Sequence, residues 1–150
     1  MDQEKEICLE QYRSRCEERQ SIIISRDDKH DWRHVAHNAG GRVRHFKIDG
    51  EVLPRGETPE RCDFLLLDDD EKTAYFIELK GSPSYLKKCV AQVESTERMC
   101  RQSLKGYTKR FYRFILGSGH GVPPSAFITW RDKKPKGTVV VHRGRYEEHF

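Results

Sequence analysis

The chain has 150 residues, a length typical of one domain with its own hydrophobic core. Charged and hydrophobic residues each make up 35% of the chain, and its apolar residues are concentrated in short segments, so disorder of the whole chain is not expected. The formal net charge of +4 hints at an anionic partner, and no apolar run approaches the roughly 20 residues of a membrane span, so no membrane partner is expected.

The N-terminal stretch MDQEKEICLE lacks the basic region and the apolar core of a signal peptide, so a cytoplasmic location is expected. Residues 2–20 combine strong helix formers with apolar positions spaced for one helix face, which predicts a first α-helix. The segment SIIIS either continues this helix or forms a short extended piece. Residues 26–41 show no sustained period and end in a glycine pair, so mostly irregular chain is predicted there.

The middle of the chain is predicted to form strands. The segment RVRHFKIDGEVL alternates apolar and polar residues, which predicts a half-buried strand and a turn at Asp49 and Gly50. After the loop PRGETPE, residues 62–67 and 74–80 are predicted to form two strands joined by a polar four-residue loop. This hairpin is the most informative part of the sequence.

The hairpin places charged residues where a strand should be most buried. With a four-residue loop, Asp68 faces Thr73 and Asp63 falls opposite Glu78. Opposed side chains share a face with Cβ atoms about 5 Å apart, and Lys80 shares the face of Glu78. Two carboxylates this close need a cation, which Mg²⁺ or Mn²⁺ would supply together with the lysine. Alternatively, the glutamate and the lysine form a solvated ion pair and the aspartate caps a turn.

The segments RCDFLLL and AYFIELKG, followed by a helix, resemble the motif region of the PD-(D/E)xK nuclease superfamily, which includes many restriction endonucleases and Holliday-junction resolvases. The resemblance implies an α/β (α+β) fold with a restriction-endonuclease-like core. In such a core a mixed central sheet of about four to five strands is flanked by helices in α-β-β-β-α-β order. We expect one domain of this type over residues 1–150.

The same resemblance implies roles for the charged residues of the hairpin. Asp63 and Glu78 would hold the Mg²⁺ or Mn²⁺ ion, the backbone carbonyl of Leu79 would be a further ligand, and Lys80 would be the catalytic lysine. The chain departs from the family pattern at Cys62, which stands where the motif has proline.

Two helices are implied to contribute to the site. From the first helix a further metal ligand is expected, with Glu10 as the preferred candidate and Glu17 as the alternative. The second helix is predicted over residues 82–106, with Ser82 as its N-cap. On it, Gln92 lies beside the buried stripe and either reaches the site, as the resemblance implies, or is a half-exposed residue without a role.

Basic side chains are concentrated between Tyr85 and Arg113, where the sequence has eight lysines and arginines but only two glutamates. This excess predicts contacts with nucleic-acid phosphates, although a solvated surface is the alternative interpretation. The aromatic residues interleaved with the last of these cations are expected in the core. The predicted nucleic-acid-binding residues are Lys87, Lys88, Arg98, Arg101, Lys105, Lys109, Arg110 and Arg113.

The C-terminal third has fewer signals of function. The segments PPSAFITWRD and GTVVVHRG are predicted to be strands, and Arg143 and Arg145 extend the basic surface. Earlier in the chain, His30, His34 and His37 have the spacing of one helix face, but surface histidines are expected rather than a zinc site. The five cysteines form no CxxC pair, so neither a zinc knuckle nor a disulfide framework is implied.

These observations predict a Mg²⁺- or Mn²⁺-dependent nuclease that hydrolyses phosphodiester bonds. DNA is favoured over RNA because most members of the superfamily act on DNA, and a homodimer is expected by the same resemblance alone. One alternative is a catalytically inactive module of this fold that binds nucleic acid. Another is a protein-interaction domain whose carboxylates pair only with Lys80 or with neighbouring arginines.

Overall fold

The computed structural model describes residues 6–55 and 60–150, which form eight β-strands and two α-helices. A short 3-10 turn leads into the first of these helices. In chain order the elements are β1 (Ile22–Arg26), β2 (Arg33–His37), β3 (Val43–Lys47), β4 (Phe64–Asp68), β5 (Thr73–Lys80), α1 (Leu86–Met99), β6 (Lys109–Leu116), α2 (Ser125–Asp132), β7 (Val139–Arg143) and β8 (Arg145–His149).

Five strands form a mixed sheet in the order β3-β4-β5-β6-β7. The first three pair antiparallel, whereas β5, β6 and β7 run parallel to one another. Because a parallel pair needs a long crossover, α1 connects β5 to β6. The mixed α/β class and the sheet size expected from the sequence are therefore confirmed.

A second, smaller sheet covers one face of the large sheet. Its order is β1-β2-β8, with β1 antiparallel and β8 parallel to β2. Ile23 and Ala36 from this sheet pack in one buried cluster with Phe64, Leu66 and Ile77 of the large sheet. The small sheet was not predicted as a separate layer, because its strands come from distant parts of the chain.

The helix α1 covers the other face of the large sheet. Its buried side chains Leu86, Cys89 and Val93 belong to a cluster that includes Leu65 and Phe76 from β4 and β5. The helix predicted after the hairpin is thus confirmed over α1, and turns follow it. Within the described ranges, neither helix combines enough length with enough apolar character to cross a membrane.

The predicted first α-helix does not form over residues 6–20, while residues 2–5 lie outside the described ranges. The segment makes only one short 3-10 turn, around Leu9. Ile7 and Leu9 are both buried, and the backbone N–H of Ile7 donates to the carbonyl of Met99 at 2.7 Å. These contacts hold the segment against the core, so packing overrides the helix propensity of its residues.

The irregular chain predicted for residues 26–41 is wrong at β2, and SIIIS forms β1. In β2, His34, Val35 and Ala36 are consecutive buried residues. A central strand of this kind lacks the alternation that identifies a half-buried strand in a sequence, which explains the error. The strands predicted from RVRHFKIDGEVL and GTVVVHRG are confirmed as β3 and β7.

The segment PPSAFITWRD, predicted to be a strand, contains the helix α2. Its apolar residues Phe127 and Trp130 stand three residues apart and pack on the same buried cluster. Three residues is close to one helical turn, so both side chains lie on one helix face. A short apolar run does not distinguish a strand from a helix, and tertiary packing decides between them.

Candidate active site

The hairpin β4–β5 forms in the register that the sequence predicts, with Asp68 opposite Thr73 at the turn. Continued to the other end of the hairpin, this register places Asp63 opposite Glu78. The length of the polar turn sets this pairing. The apolar residues on either side keep it fixed, because a slip by one residue would move every apolar side chain to the other face of the sheet. The local sequence therefore brings the two predicted metal ligands together.

Two hydrogen bonds at the end of the hairpin hold the carboxylates of Asp63 and Glu78. The backbone N–H of Asp63 donates to Oε1 of Glu78 at 2.7 Å. The backbone N–H of Leu79 donates to Oδ2 of Asp63 at 2.8 Å. Each carboxylate thus satisfies a backbone donor of the opposite strand, which holds both acids in fixed positions.

Glu78 is fully buried, and its second oxygen, Oε2, has no hydrogen-bond partner among the described residues. Burial, and then repulsion from Asp63, raises the pKa of Glu78 well above the ordinary value. Lys80 opposes this rise, but its Nζ lies 4.0 Å from Oε2, at the outer limit of an ion pair. One lysine is therefore the main counter-charge for two closely spaced carboxylates.

A cavity of about 240 Å³ opens beside Asp63. Its walls include Asp49, after β3, and Asp27, after β1. The pKa of Asp63 is raised to about 6, because burial and repulsion from these two acids together outweigh the bond from Leu79 and the charge of Lys80, which lower it. Neither acid was predicted as a site residue, because only the fold brings the ends of β1 and β3 to this cavity.

Basic residues also line this cavity. Arg26 and Lys47 belong to the same walls as Asp63 and Leu79. With Arg55, three cations face the three carboxylates Asp27, Asp49 and Asp63 in this lining, so the walls carry both charges in equal number. None of the three cations was predicted as a site residue.

The donor atoms of this site fit a hard divalent cation. Asp63 and Glu78 offer carboxylate oxygens, and Oε2 of Glu78 is buried without a partner among the described residues. Over residues 6–55 and 60–150, no group of three or more His, Cys, Asp or Glu side chains is arranged to hold a metal ion. Two carboxylates, completed by water and phosphate oxygens, are a usual set for Mg²⁺.

The helix α1 is tied to the start of β4 through Thr96, which the sequence analysis did not single out. Its Oγ1 accepts a hydrogen bond from the backbone N–H of Cys62 at 2.8 Å and donates to the carbonyl of Gln92 at 2.9 Å. The side chain of Gln92 is one helical turn away, and its Oε1 is buried without a partner among the described residues. Thr96 thus fixes the residue that immediately precedes Asp63.

We expect Thr96→Val to lower the free energy of unfolding by about 1–2 kcal/mol, because valine has nearly the same shape but leaves the buried N–H of Cys62 unpaired. Urea unfolding followed by circular dichroism measures this change. Thr129→Val, at an exposed position of α2, is the matched control and is expected to leave the midpoint unchanged. Equal midpoints for the two variants would show that the Thr96 bond contributes nothing.

The structure does not bring Glu10 or Glu17 to this site. Glu10 accepts a hydrogen bond from Ser103 at 3.1 Å, in the turns that follow α1. Glu17 is exposed in the turn before β1. Both candidates were predicted on a first α-helix packed beside the hairpin. No α-helix forms over residues 6–20, so neither glutamate is placed there.

The eight cations predicted to bind nucleic acid do not form one surface. Two of the arginines among them are engaged in ion pairs. Arg113 is buried, and its Nε and Nη2 donate to the carboxylate of Glu148 at 2.8 and 3.0 Å. Arg110 is half-buried and donates to Glu97 at 2.7 Å. The prediction that Arg113 contacts nucleic acid is corrected, since its guanidinium connects the two sheets instead.

The exposed members of this set of predicted cations lie at different ends of the molecule. Lys109 pairs with Thr73 at one end of β5, whereas Lys80 lies at the other end. Lys105 is exposed in the turns before β6, and Arg98 and Arg101 are exposed around the end of α1. Only two of the predicted cations, Lys87 and Lys88, belong to the first turn of α1, close in the chain to Lys80.

The aromatic residues interleaved with these cations are mostly in the core, as expected. Tyr107, Tyr112 and Phe114 are buried, and Phe111 is half-buried. They are therefore not available to stack on bases.

The histidines also differ from the helical arrangement, because His34 and His37 belong to a strand and contact Glu148 and Glu147.

No family model, curated protein or solved structure matches this chain.

Proposed function

We propose that this protein is a metal-dependent nuclease that hydrolyses phosphodiester bonds, with DNA as the favoured substrate. The observation that carries the proposal is the pair formed by Asp63 and Glu78 at the end of β5. The backbone N–H of Asp63 donates to Oε1 of Glu78, Oε2 of Glu78 has no hydrogen-bond partner among the described residues, and Nζ of Lys80 lies 4.0 Å from this oxygen. A buried acid pair with a purely structural role would be expected to have all of its oxygens paired.

The order of elements supports the same proposal. The elements β3, β4, β5, α1 and β6 follow the β-β-β-α-β order implied by the resemblance to the PD-(D/E)xK superfamily, and β5 is central in the large sheet. The first α-helix of that order is missing from residues 6–20. A small additional sheet is also present, so the support comes from the core strands alone.

Each residue of the site has a defined task in this proposal. Asp63 and Glu78 would hold Mg²⁺ or Mn²⁺ through their oxygens, with the carbonyl of Leu79 as a further ligand. When bound, the cation supplies Lewis-acid activation of the phosphate and of a water molecule. Lys80 donates from Nζ to the attacking water or to a phosphate oxygen and stabilises the charge that develops there. Gln92 has a free Oε1 with which to accept a hydrogen bond from a water.

Several cations near the site could contact the phosphates of a substrate. Arg26 and Lys47 line the cavity beside Asp63, and Lys87 and Lys88 are exposed on the first turn of α1. Such cations bind phosphates without reading base sequence. The proposal therefore includes a backbone-binding surface and no element that selects a sequence.

We expect Lys80→Met to reduce cleavage by about 100-fold, because one preorganised donor to the developing charge is lost. The assay incubates wild-type protein and variant with plasmid, linear, branched and single-stranded DNA and with RNA, in Mg²⁺ or Mn²⁺. Lys136→Met, at an exposed position before β7, is the matched control and is expected to cleave like the wild type.

Two outcomes would overturn the nuclease proposal. Cleavage by Lys80→Met at the wild-type rate would show that the products arise without this site. Binding of nucleic acid without cleavage of any substrate, in either metal, would instead favour the catalytically inactive module that the sequence left as an alternative.

A further inference from the structure

A second pocket lies next to the proposed active site. We call it the Trp32 pocket, and its volume is about 680 Å³. It is lined by residues 29–32 between β1 and β2, residues 117–118 after β6, and residues 143–145 where β7 ends and β8 begins. The backbone N–H of Gly117 donates to the carbonyl of Lys80 at 2.8 Å. The pocket therefore lies at the same end of β5 and β6 as the backbone of the proposed catalytic lysine.

The pocket contains an aromatic stack. The ring of His30 lies on the ring of Trp32 with centroids 4.0 Å apart and planes 12° apart. Trp32 is half-buried against Gly117, where a Cβ atom would come within 2.5 Å of its ring, so only glycine permits this approach. His30 is exposed. The turn between β1 and β2 thus carries an aromatic platform, in which Trp32 packs on Gly117 and His30 is exposed.

The charge of the pocket is positive. Among the lining residues Lys29, Arg143 and Arg145 are cations and Asp31 is the one acid, while Arg145 also donates to Glu147 at 3.0 Å. Arg143 donates to the carbonyls of residues 117 and 119 at 2.7 and 2.8 Å. Carbonyl oxygens orient the guanidinium but do not neutralise its charge, so it remains attractive to an anion.

We propose that the Trp32 pocket binds one unpaired nucleotide of a nucleic-acid strand. Its base stacks on the His30 and Trp32 platform, and its phosphate contacts Lys29 and Arg143. The volume is that of a pocket for a small organic ligand, and an aromatic platform with adjacent cations is what single-stranded nucleic acid requires. A base in a duplex is stacked on both faces and cannot enter.

This inference deepens the proposed function and rests on it for the identity of the substrate. The backbone bond between Gly117 and Lys80 places the pocket and the proposed site at the same end of β5 and β6, so a strand held in the pocket can continue across this end of the sheet toward Lys80. The substrate of the site is therefore a single strand, or a duplex with an unpaired end. DNA and RNA share this chemistry, and the experiment below separates them.

The test is binding measured by fluorescence anisotropy in EDTA, where metal-dependent cleavage does not occur. The ligands are labelled single-stranded DNA, single-stranded RNA and a blunt DNA duplex of the same sequence. Wild-type protein is expected to bind at least one single strand about tenfold more tightly than the duplex. His30→Ala is expected to weaken single-strand binding about tenfold, because one stacking surface is lost.

His149→Ala is the matched control. His149 is likewise exposed and stacks on an aromatic ring, that of His37, with centroids 4.8 Å apart, but it lies at the opposite end of β2. The control is expected to bind like the wild type. A second readout is the fluorescence of Trp32 in a Trp130→Phe background, which leaves a single tryptophan and is expected to be quenched by single-stranded DNA or RNA.

The outcomes separate this inference from the nuclease proposal. Equal binding of the single strands by His30→Ala and wild type, no preference over the duplex, or unquenched Trp32 fluorescence would each overturn the pocket assignment. Cleavage that depends on Lys80 would still support the nuclease. Conversely, His30-dependent binding without cleavage in any metal would support the pocket and overturn the nuclease proposal.

Discussion

Glu78→Gln is expected to abolish Mg²⁺-dependent cleavage and, at the same time, to stabilise the fold in mildly alkaline buffer. The amide can still accept the bond from the N–H of Asp63, but it removes a charge from a fully buried position. If Glu78 is a metal ligand as proposed, its loss should reduce cleavage by at least about 1000-fold. The free energy of unfolding at about pH 8 should rise by roughly 1–3 kcal/mol.

The pH dependence of stability provides a sharper version of this prediction. Folding raises the pKa values of Glu78 and Asp63, so the folded protein binds their protons more tightly than the unfolded chain does. Their stabilising effect is complete below the ordinary carboxylate pKa, and it is lost as the pH rises through the raised values, about 6 for Asp63. Urea unfolding between about pH 4 and pH 8 should show a smaller loss for Glu78→Gln than for wild type.

Metal binding should reverse this loss. At about pH 8, saturating Mg²⁺ is expected to raise the melting temperature of wild type but not of Glu78→Gln, because only the native site binds the ion. Glu71→Gln, an exposed acid in the β4–β5 turn, is the matched control and should respond like wild type. An active Glu78→Gln protein, or one stabilised by Mg²⁺ to the wild-type extent, would contradict the assignment of Glu78.

Glu148→Gln is expected to be the most destabilising single substitution proposed here, with a loss of about 3–5 kcal/mol. Its carboxylate accepts two hydrogen bonds from buried Arg113 and one from buried His34. Burial would raise the pKa of Glu148, but hydrogen bonds from His34 and Arg113 outweigh burial and hold it below the ordinary value. Its stabilising effect is therefore present above the ordinary glutamate pKa and is lost as the pH falls through the lowered value.

Urea unfolding at neutral pH measures this effect, with Glu147→Gln as the control on the adjacent, exposed acid. The double variant Arg113→Met with Glu148→Leu should recover most of the loss, because it removes both charges instead of leaving one buried and unpaired. If Glu148→Gln and Glu147→Gln unfold at the same urea concentration, the ion pair between the sheets does not stabilise the protein.

The β4–β5 hairpin was predictable because its determinants are local. The polar turn, the apolar runs on either side and the length of the loop determine the register, and the register determines that Asp63 meets Glu78. The same reasoning identified the helix α1, whose apolar stripe and terminal residues lie within one segment. The pairing of the predicted ligands therefore needed no knowledge of the rest of the fold.

The parts that were missed depend on contacts between distant segments. Asp27 and Asp49 reach the cavity only because β1 and β3 end beside β4 and β5. Thr96 has the residue type of many helix positions, and nothing in its neighbourhood indicates a bond to Cys62. The burial of Arg113 is likewise decided by Glu148, a partner on another sheet. Patterns of charge along the chain could not distinguish it from an exposed arginine.

The pairing of β2 with β8 has a consequence for how the molecule assembles. The strand pair joins Arg33 to Arg145, two residues separated by most of the sequence. A two-stranded hairpin such as β1–β2 is at best marginally stable alone. Pairing over such a distance is slow compared with closure of β4–β5. During synthesis the carboxylate pair is therefore completed early, whereas the wall carrying Asp27 and the aromatic platform becomes ordered only after β8 has emerged. A nascent chain would therefore form the pair of Asp63 and Glu78 well before the Trp32 pocket is complete.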